Sequence, residues 1–363
     1  MNLNDPKLYK KLDTGRVAES ISLLPDQIRQ VLEDSRLIKI PASYTQFTPT
    51  LAKKIAQVVV NGMGGSNLGA GIIKSVFGSQ IKIPLNIAPG YDVPAHVDKN
   101  TLYIVSSYSG NTEEPLSAYA KAKKQGAKIL AITEDEIKNK LKALMLKDNI
   151  PGYIFKPKYN PSNQPRLGLG YSIFGTMTLL AKAGIIKIKN EEIKNLIAEL
   201  EINDRKLRPT VKNNPAKIIA QKLHQKKIIV VAAEFLIGNL RALRNQICEN
   251  SKNFASYLTL PELNHYAMEG LSNPNSNKKD LIFLFFDSQL YHPRIQKRNR
   301  LTQEVIKKNK IQIVSYELKS QTKLEQSFEM LQLGVWITYY LGMLNEVDPV
   351  KIPWVDWFKK QLG

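Results

Sequence analysis

The sequence contains a single cysteine, Cys248, so a disulfide within the chain is excluded. The first residues also lack the basic and then apolar pattern of a secretory signal, and together these absences predict a cytoplasmic protein. Long hydrophobic runs are missing as well. The apolar stretches Leu281–Phe286 and Leu331–Leu344 fall short of the ~20 residues that a membrane-spanning helix needs, so we expect no membrane association.

Acidic residues are scarce: the chain has 32 of them against 52 basic residues, which gives a net charge of +20. Such an excess is compatible with an anionic small substrate, a nucleic acid or an anionic membrane. The basic residues are spread along the chain, and the densest stretch, Arg294–Lys310, contains no aromatic side chain that could stack on a base. A nucleic-acid partner is therefore not expected, and most of the lysines are interpreted as solvated charges.

The remaining composition is that of a globular protein. With 363 residues and 43% hydrophobic side chains, the chain is long enough for two or three domains. Apolar strands alternate with helical patterns, which predicts α/β domains with parallel sheets covered on both faces. We expect an N-terminal helical extension over residues 1–50, a first domain over 51–190, and a second domain with C-terminal helices over 191–363. The clearest predicted elements are strands at Thr101–Ser106, Lys227–Ala233 and Leu281–Phe286 and a helix at Leu324–Leu344.

A glycine-rich turn follows the first predicted strand and opens a helix: Gly62-Met-Gly-Gly65-Ser66-Asn67. Glycines in this position let backbone N–H groups approach an anion at the helix N-terminus. No Gly-Lys-Ser/Thr follows, so the turn is not a P-loop, and the spacing of a dinucleotide fingerprint is broken at Asn67. From this motif alone, an anion site and a plain tight turn stay equal alternatives.

A serine-rich turn follows the next predicted strand: Ser106-Ser107-Tyr108-Ser109-Gly110-Asn111-Thr112-Glu113-Glu114. Ser107, Ser109 and Thr112 put three hydroxyls at the positive end of a helix, where free backbone N–H groups would help them to bind a phosphate monoester. The alternative is an N-cap, with Thr112 capping and the two glutamates complementing the helix dipole. A cap needs only one hydroxyl, so three favour a phosphate site. Both turns follow strands, at the edge where open α/β sheets bind ligands.

Four further motifs follow along the chain: Pro165-Arg166-Leu-Gly-Leu-Gly-Tyr, Glu249-Asn-Ser-Lys252, Leu260-Pro-Glu-Leu-Asn-His265 and Val347-Asp-Pro…Phe358-Lys359-Lys360. The two turns resemble those of the sugar isomerase (SIS) domain. The four further motifs support a narrower resemblance to the bifunctional phosphoglucose/phosphomannose isomerases, in whose order they occur and which almost the whole chain resembles.

This resemblance implies two SIS-type α/β/α sandwich domains in a homodimer, with the active site between domains and between subunits. It implies a hexose 6-phosphate substrate, whose phosphate is held by Gly65, Ser66, Ser107, Ser109 and Thr112. Glu249 is implied as the catalytic base, His265 and Lys359 as ring-opening groups, and Arg166 as the residue that faces the enediolate. Neither a cofactor nor a metal is implied.

The implied roles agree with the chemistry of an aldose–ketose interconversion. One carboxylate can move a proton between C1 and C2 through a cis-enediol intermediate. The guanidinium of Arg166 would stabilise the negative charge that develops on oxygen, and a histidine suits ring opening because it titrates near neutrality. The sequence contains no close His, Cys, Asp or Glu cluster with metal-ligand spacing, which agrees with catalysis without a metal.

Two features near the C-terminus leave details open. Lys359 and Lys360 are adjacent, and a helix presents only one of them to a site; Lys359 is favoured, and Lys360 then complements the helix dipole. Bifunctional family members carry a threonine about two helical turns before this lysine, whereas Ile352 or Pro353 takes that place here. The resemblance therefore implies glucose 6-phosphate as the aldose and leaves mannose 6-phosphate in question.

Two other functions are alternatives. One is isomerisation of a different sugar phosphate; simple SIS proteins lack the set of Glu249, His265 and Lys359, so this set favours the hexose isomerase. The other is a non-catalytic SIS regulator that binds a sugar phosphate and is attached to a DNA-binding module. Residues 1–50 contain no obvious helix-turn-helix of sufficient length, which argues against a regulator.

Overall fold

The computed structural model describes residues 1–46 and 55–363. Its contacts divide the chain into two compact units: an N-terminal unit, Leu23–Ala198, and a C-terminal unit, Met1–Ser22 with Glu199–Gly363. Each unit contains a parallel sheet and helices, so the predicted α/β class with parallel sheets is confirmed. The functional division predicted at residues 50 and 190 stays a prediction.

The sheet of the N-terminal unit consists of β1 (Gln57–Gly62), β2 (Leu85–Ile87), β3 (Thr101–Ser106), β4 (Lys128–Glu134) and β5 (Gly152–Phe155). Its strands pair in parallel in the order β2-β1-β3-β4-β5. The central strand β3 is found where the sequence predicts it, and all its residues are buried, as expected for an apolar strand in a parallel sheet. The edge strands β2 and β5 are short and only partly buried, so no apolar run marks them in the sequence.

The helices of the N-terminal unit hold two loops together at one edge of the sheet. They are α3 (Leu24–Asp34), α4 (Gly65–Val76), α5 (Glu113–Lys124), α6 (Lys140–Lys147) and α7 (Leu169–Lys182), and α1 (Pro6–Leu12) and α2 (Val17–Ser22) precede them in the C-terminal unit. α4 packs closely on α7, as the position of Gly69 shows: an added Cβ would lie 2.9 Å from Ile173 Cα. The buried Gln27 of α3 donates to the Leu167 carbonyl at 2.9 Å and accepts from the Gly170 N–H at 3.0 Å. These contacts fix the segment that leads into α7.

The sheet of the C-terminal unit consists of β6 (Lys227–Ala233), β7 (Ala255–Leu260), β8 (Leu281–Asp287) and β9 (Gln312–Glu317). Its strands are parallel in the order β7-β6-β8-β9. The predicted strands at β6 and β8 are confirmed, whereas the edge strand β7 mixes polar with apolar residues, is only partly buried and is not predicted from the sequence. The later helices are α8 (Asn190–Leu207), which begins in the other unit, α9 (Pro215–Leu223), α10 (Ile237–Ser251), α11 (Asn277–Asp280), α12 (Pro293–Lys308), α13 (Lys323–Leu344) and α14 (Pro353–Leu362).

The long helix α13 lies at the centre of the C-terminal unit. Its residues from Leu324 to Leu344 are all buried except Glu325, and α9 and α10 pack against it. A capping box formed by Thr322 and Glu325 fixes its start, and the predicted helix at Leu324–Leu344 is confirmed. Its apolar surface on all sides is therefore explained by burial within the protein. Among the described helices, none is long and apolar enough to cross a membrane.

The close contact of α4 with α7 predicts that Gly69→Ala destabilises the protein by about 1–3 kcal/mol. Alanine is the better helix former, but its Cβ would clash with the Ile173 backbone, which cannot rotate away as a side chain would. Urea unfolding would be compared with that of Gly270→Ala, where an added Cβ meets nothing within 4 Å. An unchanged or higher free energy of unfolding for Gly69→Ala would contradict the close packing.

Candidate functional site

The carboxyl ends of β1 and β3 bring the two predicted turns together. After β1 the chain continues to β2 on one side of the sheet, and after β3 it continues to β4 on the other side. The neighbouring strands β1 and β3 therefore flank the point where the strand order reverses. The glycine-rich turn follows β1, and the serine-rich turn follows β3. Gly62 allows this approach, because an added Cβ would lie 2.7 Å from the Ser106 carbonyl oxygen. Gly64 has φ +50°, a conformation that favours glycine.

Four hydroxyl side chains, which we call the hydroxyl cup, line these turns: Ser66, Ser107, Ser109 and Thr112. The Tyr108 N–H donates to Ser66 Oγ at 3.0 Å and so joins the two turns directly. Within the second turn, Ser107 Oγ donates to Thr112 Oγ1 at 3.3 Å, and the Asn111 N–H donates to Ser109 Oγ at 3.4 Å. Three of the four hydroxyl oxygens thus already accept a hydrogen bond from the protein.

This pattern suits a ligand that only accepts hydrogen bonds. Each hydroxyl has one proton to donate, and among the described residues the protons of Ser66, Ser109 and Thr112 have no acceptor. α4 and α5 begin at the same place, and their first N–H groups and positive dipole ends favour an anion. A phosphate monoester accepts such donors with its oxygens.

The alternative role of Thr112 as a side-chain cap is wrong. Thr112 occupies the N-cap position of α5 with φ −68° and ψ 128°, but its side chain makes no capping hydrogen bond. Its hydroxyl instead accepts from Ser107. The predicted phosphate-binding residue therefore turns its hydroxyl toward the other hydroxyls of the cup.

Arg166 lies beside the glycine-rich turn. It is 4% exposed and belongs to a 3₁₀ turn, Pro165–Leu167, just before α7. A Cβ added to Gly65 would lie 3.4 Å from the Pro165 carbonyl oxygen and 3.6 Å from Arg166 Cα, so the two loops are in contact. Arg166 Nη1 donates to Gln164 Oε1 at 2.7 Å, which orients the guanidinium. The structure thus brings Arg166 and the predicted phosphate-binding residues into one unit and one place.

Two residues that support the cup were not predicted as functional. Asn67, which breaks the dinucleotide spacing, donates from Nδ2 to the Gly62 carbonyl at 2.6 Å and closes the first turn. Tyr108 is buried, and its hydroxyl accepts from Asn160 Nδ2 at 3.0 Å. Burial raises the pKa of Tyr108 above its ordinary value, so its phenol stays neutral. Asn67 and Tyr108 lie inside the two motifs, and this position is the feature of the sequence that indicates a supporting role.

Glu134 is the titratable group at the adjacent strand end. Its N–H donates to the Tyr108 carbonyl at 3.0 Å, which places it at the end of β4 next to the serine-rich turn. Burial, helped by the negative charge of Glu136, raises the pKa of Glu134 to about 7. Near neutral pH this carboxyl is therefore partly protonated and adds less negative charge to this edge of the sheet.

The predicted catalytic base lies in the C-terminal unit on a helix that is firmly held. Glu249 is half-buried near the end of α10. The next residue, Asn250, donates from Nδ2 to Thr338 Oγ1 of α13 at 3.0 Å. Lys252 ends α10 in a left-handed conformation, and its Nζ donates to the Asp348 carbonyl at 2.7 Å. The motif around Glu249 therefore fixes the helix and ties it to the segment before α14.

The two predicted ring-opening groups are exposed in the C-terminal unit. His265 ends a 3₁₀ turn, Glu262–His265, that follows β7, and Lys359 lies on α14. Asn264 holds the histidine turn by donating to Thr302 Oγ1 of α12 at 2.7 Å. The structure does not place these residues in the same unit as the hydroxyl cup, so their roles stay predictions.

The second sheet has its own strand reversal, between β6 and β8, but a tyrosine fills it. The buried Tyr291 hydroxyl accepts from the Ala233 N–H and donates to the Phe286 carbonyl, both at 3.1 Å. Beside it, the Glu234 carboxylate accepts from the His292 N–H at 3.1 Å. The hydrogen-bonding groups of this crevice are thus paired with each other, whereas hydroxyl protons in the corresponding crevice of the first sheet are available to a ligand.

Among the described residues, no group of three His, Cys, Asp or Glu side chains is arranged to hold a metal ion. The expected absence of a metal and of a cofactor stays a prediction.

Comparisons with known proteins agree with this geometry. Residues 51–140 match the SIS domain, and residues 212–362 match the bacterial phospho-glucose isomerase C-terminal SIS domain. A bifunctional phosphoglucose/phosphomannose isomerase from Caldicellulosiruptor bescii is 33% identical over 357 residues, which cover 95% of this chain and 98% of that protein. One from Aquifex aeolicus is 28% identical, over 84% of this chain and 90% of that protein.

A solved structure shows the same fold. The tagatose-6-phosphate ketose/aldose isomerase from Escherichia coli superposes with a TM-score of 0.69 at 16% sequence identity, over 92% of this chain and 94% of that chain. The predicted SIS fold is therefore confirmed, and so is the predicted family resemblance.

The environment of Glu134 predicts a pH-dependent stability. Its folded-state pKa of about 7 lies above the ordinary 4.5, so its stabilising contribution is complete below pH 4.5 and is lost as the pH rises to about 7. Glu134→Gln removes this loss. After allowance for solvent screening, we expect the free energy of unfolding of the variant, relative to that of the wild type, to rise by about 1–2 kcal/mol between pH 4.5 and about 7.

Urea unfolding of both proteins at several pH values would measure this gain. Glu33→Gln, which replaces an exposed glutamate of the same unit, is the control. A difference between Glu134→Gln and wild type that does not change with pH would contradict the assigned environment.

Proposed function

The chain belongs to the bifunctional phosphoglucose/phosphomannose isomerase family, and from this premise we propose that it is an aldose–ketose isomerase of hexose 6-phosphates. It interconverts glucose 6-phosphate with fructose 6-phosphate, and mannose 6-phosphate is the second aldose. The observation that carries the proposal is the hydroxyl cup with Arg166 beside it. The cup fits an acceptor-only phosphate, and a guanidinium next to it fits the oxygens of the reacting sugar.

The phosphate serves as a handle. Hydroxyl protons of Ser66, Ser109 and Thr112 and the N–H groups at the starts of α4 and α5 bind it, away from the carbons that react. Binding energy from this distant group positions C1 and C2 for proton transfer. Ser107 acts on the phosphate through Thr112, whose hydroxyl oxygen it engages so that the Thr112 proton points to the ligand.

Glu249 carries out the proton transfer in this proposal. Its carboxylate takes the proton from C2 of the open-chain aldose, the C–H electrons form the C1–C2 double bond, and the C1 carbonyl oxygen gains a proton. The same carboxyl then returns the proton to C1 as the C2 hydroxyl loses its own proton and the ketose carbonyl forms at C2, so the proton gained at the C1 oxygen is balanced by the one lost at the C2 oxygen. Arg166 stabilises the charge on the enediol oxygens in a buried setting, where a fixed guanidinium is most effective.

His265 and Lys359 act before this step. The sugar ring opens when one group donates a proton to the ring oxygen and another removes the proton of the C1 hydroxyl. We assign these roles to His265 and Lys359, and Lys360 stays the alternative lysine. The assignment includes a cytoplasmic homodimer whose site is completed between domains and subunits. The two units of the chain supply different parts of the predicted set.

The preference between the two aldoses depends on the start of α14. Ile352 is the N-cap residue of this helix and Pro353 its first residue, so neither supplies the hydroxyl that bifunctional family members have there. The curated relatives at this similarity are named bifunctional enzymes. We therefore expect mannose 6-phosphate to be formed from fructose 6-phosphate together with glucose 6-phosphate.

The proposed function predicts that the purified protein converts fructose 6-phosphate, and that Glu249→Gln lowers kcat by at least ~1,000-fold because the amide cannot accept the proton. A coupled assay would score glucose 6-phosphate and mannose 6-phosphate separately. Calorimetry would show that the variant still binds fructose 6-phosphate. Glu304→Gln, at an exposed helical position, is the control and should keep full activity.

Full activity of Glu249→Gln would overturn the mechanism. Binding of fructose 6-phosphate without turnover by the wild type would favour the regulator. Turnover of glucosamine 6-phosphate or a pentose phosphate in its place would favour a different sugar-phosphate isomerase.

The hydroxyl cup predicts that Thr112→Val lowers kcat/KM by about 10–100-fold, since one hydrogen bond to a charged phosphate is lost while the side-chain shape is kept. Inhibition by inorganic phosphate should weaken in parallel, because the same donor is missing. Ser117→Ala, on the same helix but outside the cup, is the control and should change neither value. An inhibition constant for phosphate that is unaffected by Thr112→Val would place the phosphate elsewhere.

A further inference from the structure

The side chain of Arg166 is held by an amide that is itself anchored. Gln164 occupies the N-cap position of the 3₁₀ turn Pro165–Leu167, and its Oε1 accepts from Arg166 Nη1 at 2.7 Å. The Gln164 N–H donates to Ser162 Oγ at 3.3 Å, and the Gln164 carbonyl accepts from the Leu167 N–H at 2.9 Å. The backbone of the residue that holds the guanidinium is therefore fixed.

A buried amide joins this segment to the serine-rich turn. Asn160 is 1% exposed, and its Nδ2 donates to the Gln164 carbonyl and to the Tyr108 hydroxyl, each at 3.0 Å. Its Oδ1 accepts from Ser162 Oγ at 2.8 Å. Both amide protons of Asn160 thus connect the residue that holds Arg166 with the turn that carries three hydroxyls of the cup.

Two glycines allow the same segment to touch both turns. A Cβ added to Gly168 would lie 2.6 Å from Tyr108 Cε2 and 3.1 Å from Asn160 Nδ2, so the serine-rich turn lies directly against the residue after the 3₁₀ turn. On the other side, a Cβ added to Gly65 would lie 3.6 Å from Arg166 Cα. Contacts with both turns therefore determine where the arginine backbone lies relative to the hydroxyl cup.

A guanidinium in a fixed position selects among ligands by their length. An arginine side chain has several rotatable bonds, so a guanidinium that is not held would follow the oxygens of sugars of different length. When it is held, the distance from its nitrogens to the cup is constant. A carbon–carbon bond is about 1.5 Å long, so a sugar phosphate with one carbon fewer leaves either its phosphate or its reacting oxygens outside hydrogen-bond distance.

We infer that Asn160 and Gln164 are positioning residues that fix the separation between the Arg166 guanidinium and the hydroxyl cup, and that this separation selects sugar phosphates by the number of carbons between the phosphate and the reacting oxygens. The class selected is the hexose 6-phosphates, and the class rejected is the pentose 5-phosphates. The inference rests on the proposed function in one respect, the place of Arg166 at the reacting oxygens.

A purely structural role is the alternative for these amides. It would account for Asn160, which is buried and pairs with the Gln164 carbonyl. It does not account for the Gln164 side chain, which is only half-buried and whose Oε1 accepts from another side chain. An amide at this place orients the guanidinium without adding a negative charge to it. The contact therefore favours positioning.

Calorimetry with two sugar acids tests the inference. Both 5-phospho-D-arabinonate and 4-phospho-D-erythronate carry a phosphate and a carboxylate that resembles an enediolate, and they differ by one carbon. The wild type should bind the longer acid at least ~10-fold more tightly, because a misplacement of about 1 Å is costly in a preorganised site. Gln164→Met keeps the side-chain length and removes the amide, and it should reduce this ratio to less than ~3-fold.

Inorganic phosphate separates positioning from general damage. It occupies the cup alone, so its dissociation constant should be the same for Gln164→Met and the wild type. Gln125→Met, at an exposed position of the same unit, is the matched control and should change none of the three affinities.

Two further variants examine the network by independent changes. Tyr108→Phe removes only the hydroxyl that accepts from Asn160, keeps the N–H that donates to Ser66, and should lower the ratio in the same direction as Gln164→Met. Gln164→Glu keeps an acceptor for Arg166 and should keep the wild-type ratio, although both acids bind more weakly because the carboxylate offsets the guanidinium charge.

An unchanged ratio in Gln164→Met would overturn the inference. A parallel loss of affinity for inorganic phosphate and both acids would overturn it too, because it would show a general loosening of the site. A wild type that binds both acids equally would exclude selection by length and leave the isomerase reaction standing. A wild type that binds none of the three ligands would overturn the phosphate site and, with it, the proposed function.

Discussion

The hydrogen bond from the Tyr108 N–H to the Ser66 hydroxyl is the interaction on which the site depends. It joins the turn after β1 to the turn after β3, at the place in the first sheet where the order of the described strands reverses. The close approach of the two turns requires a glycine at Gly62. Because the Ser66 oxygen accepts from the Tyr108 N–H, the Ser66 hydroxyl proton stays available to a ligand. This bond therefore ties together the two turns that lead into α4 and α5.

In the proposed site, neutral groups face the negatively charged phosphate. The four side chains of the cup are hydroxyls, and the positive potential comes from the N-termini of α4 and α5. The net charge of +20 acts over longer distances, where it can raise the local concentration of a dianionic substrate. In the second sheet Tyr291 fills the equivalent crevice, and the unit uses its helices to hold Glu249 instead. Phosphate binding and proton transfer are thus assigned to different units of the same chain.

The parts of the fold that the sequence predicted are those with a strong local signal. β3 is a continuous buried run, β6 is apolar and mostly buried after Lys227, and α13 is apolar on all sides, so their positions follow from the apolar pattern alone. The edge strands β2, β5 and β7 are short or partly polar because solvent covers one side, and they leave no such run.

The candidate site was likewise predicted only where the sequence has a strong local signal. The two turns were predicted because each combines a strand end with unusual residues. The contact of Arg166 with Gly65 depends on the packing of α4 on α7, which no local pattern encodes. His265 and Lys359 are exposed in the C-terminal unit, outside the unit that carries the cup, so the roles that their motifs predict stay predictions.

The most direct test of the central claim follows deuterium from C2 of labelled glucose 6-phosphate into fructose 6-phosphate by NMR. Proton transfer by one carboxylate through a cis-enediol predicts that part of the label appears at C1 and the rest in water, whereas complete retention at C1 in every turnover would show a hydride shift and contradict the assigned role of Glu249.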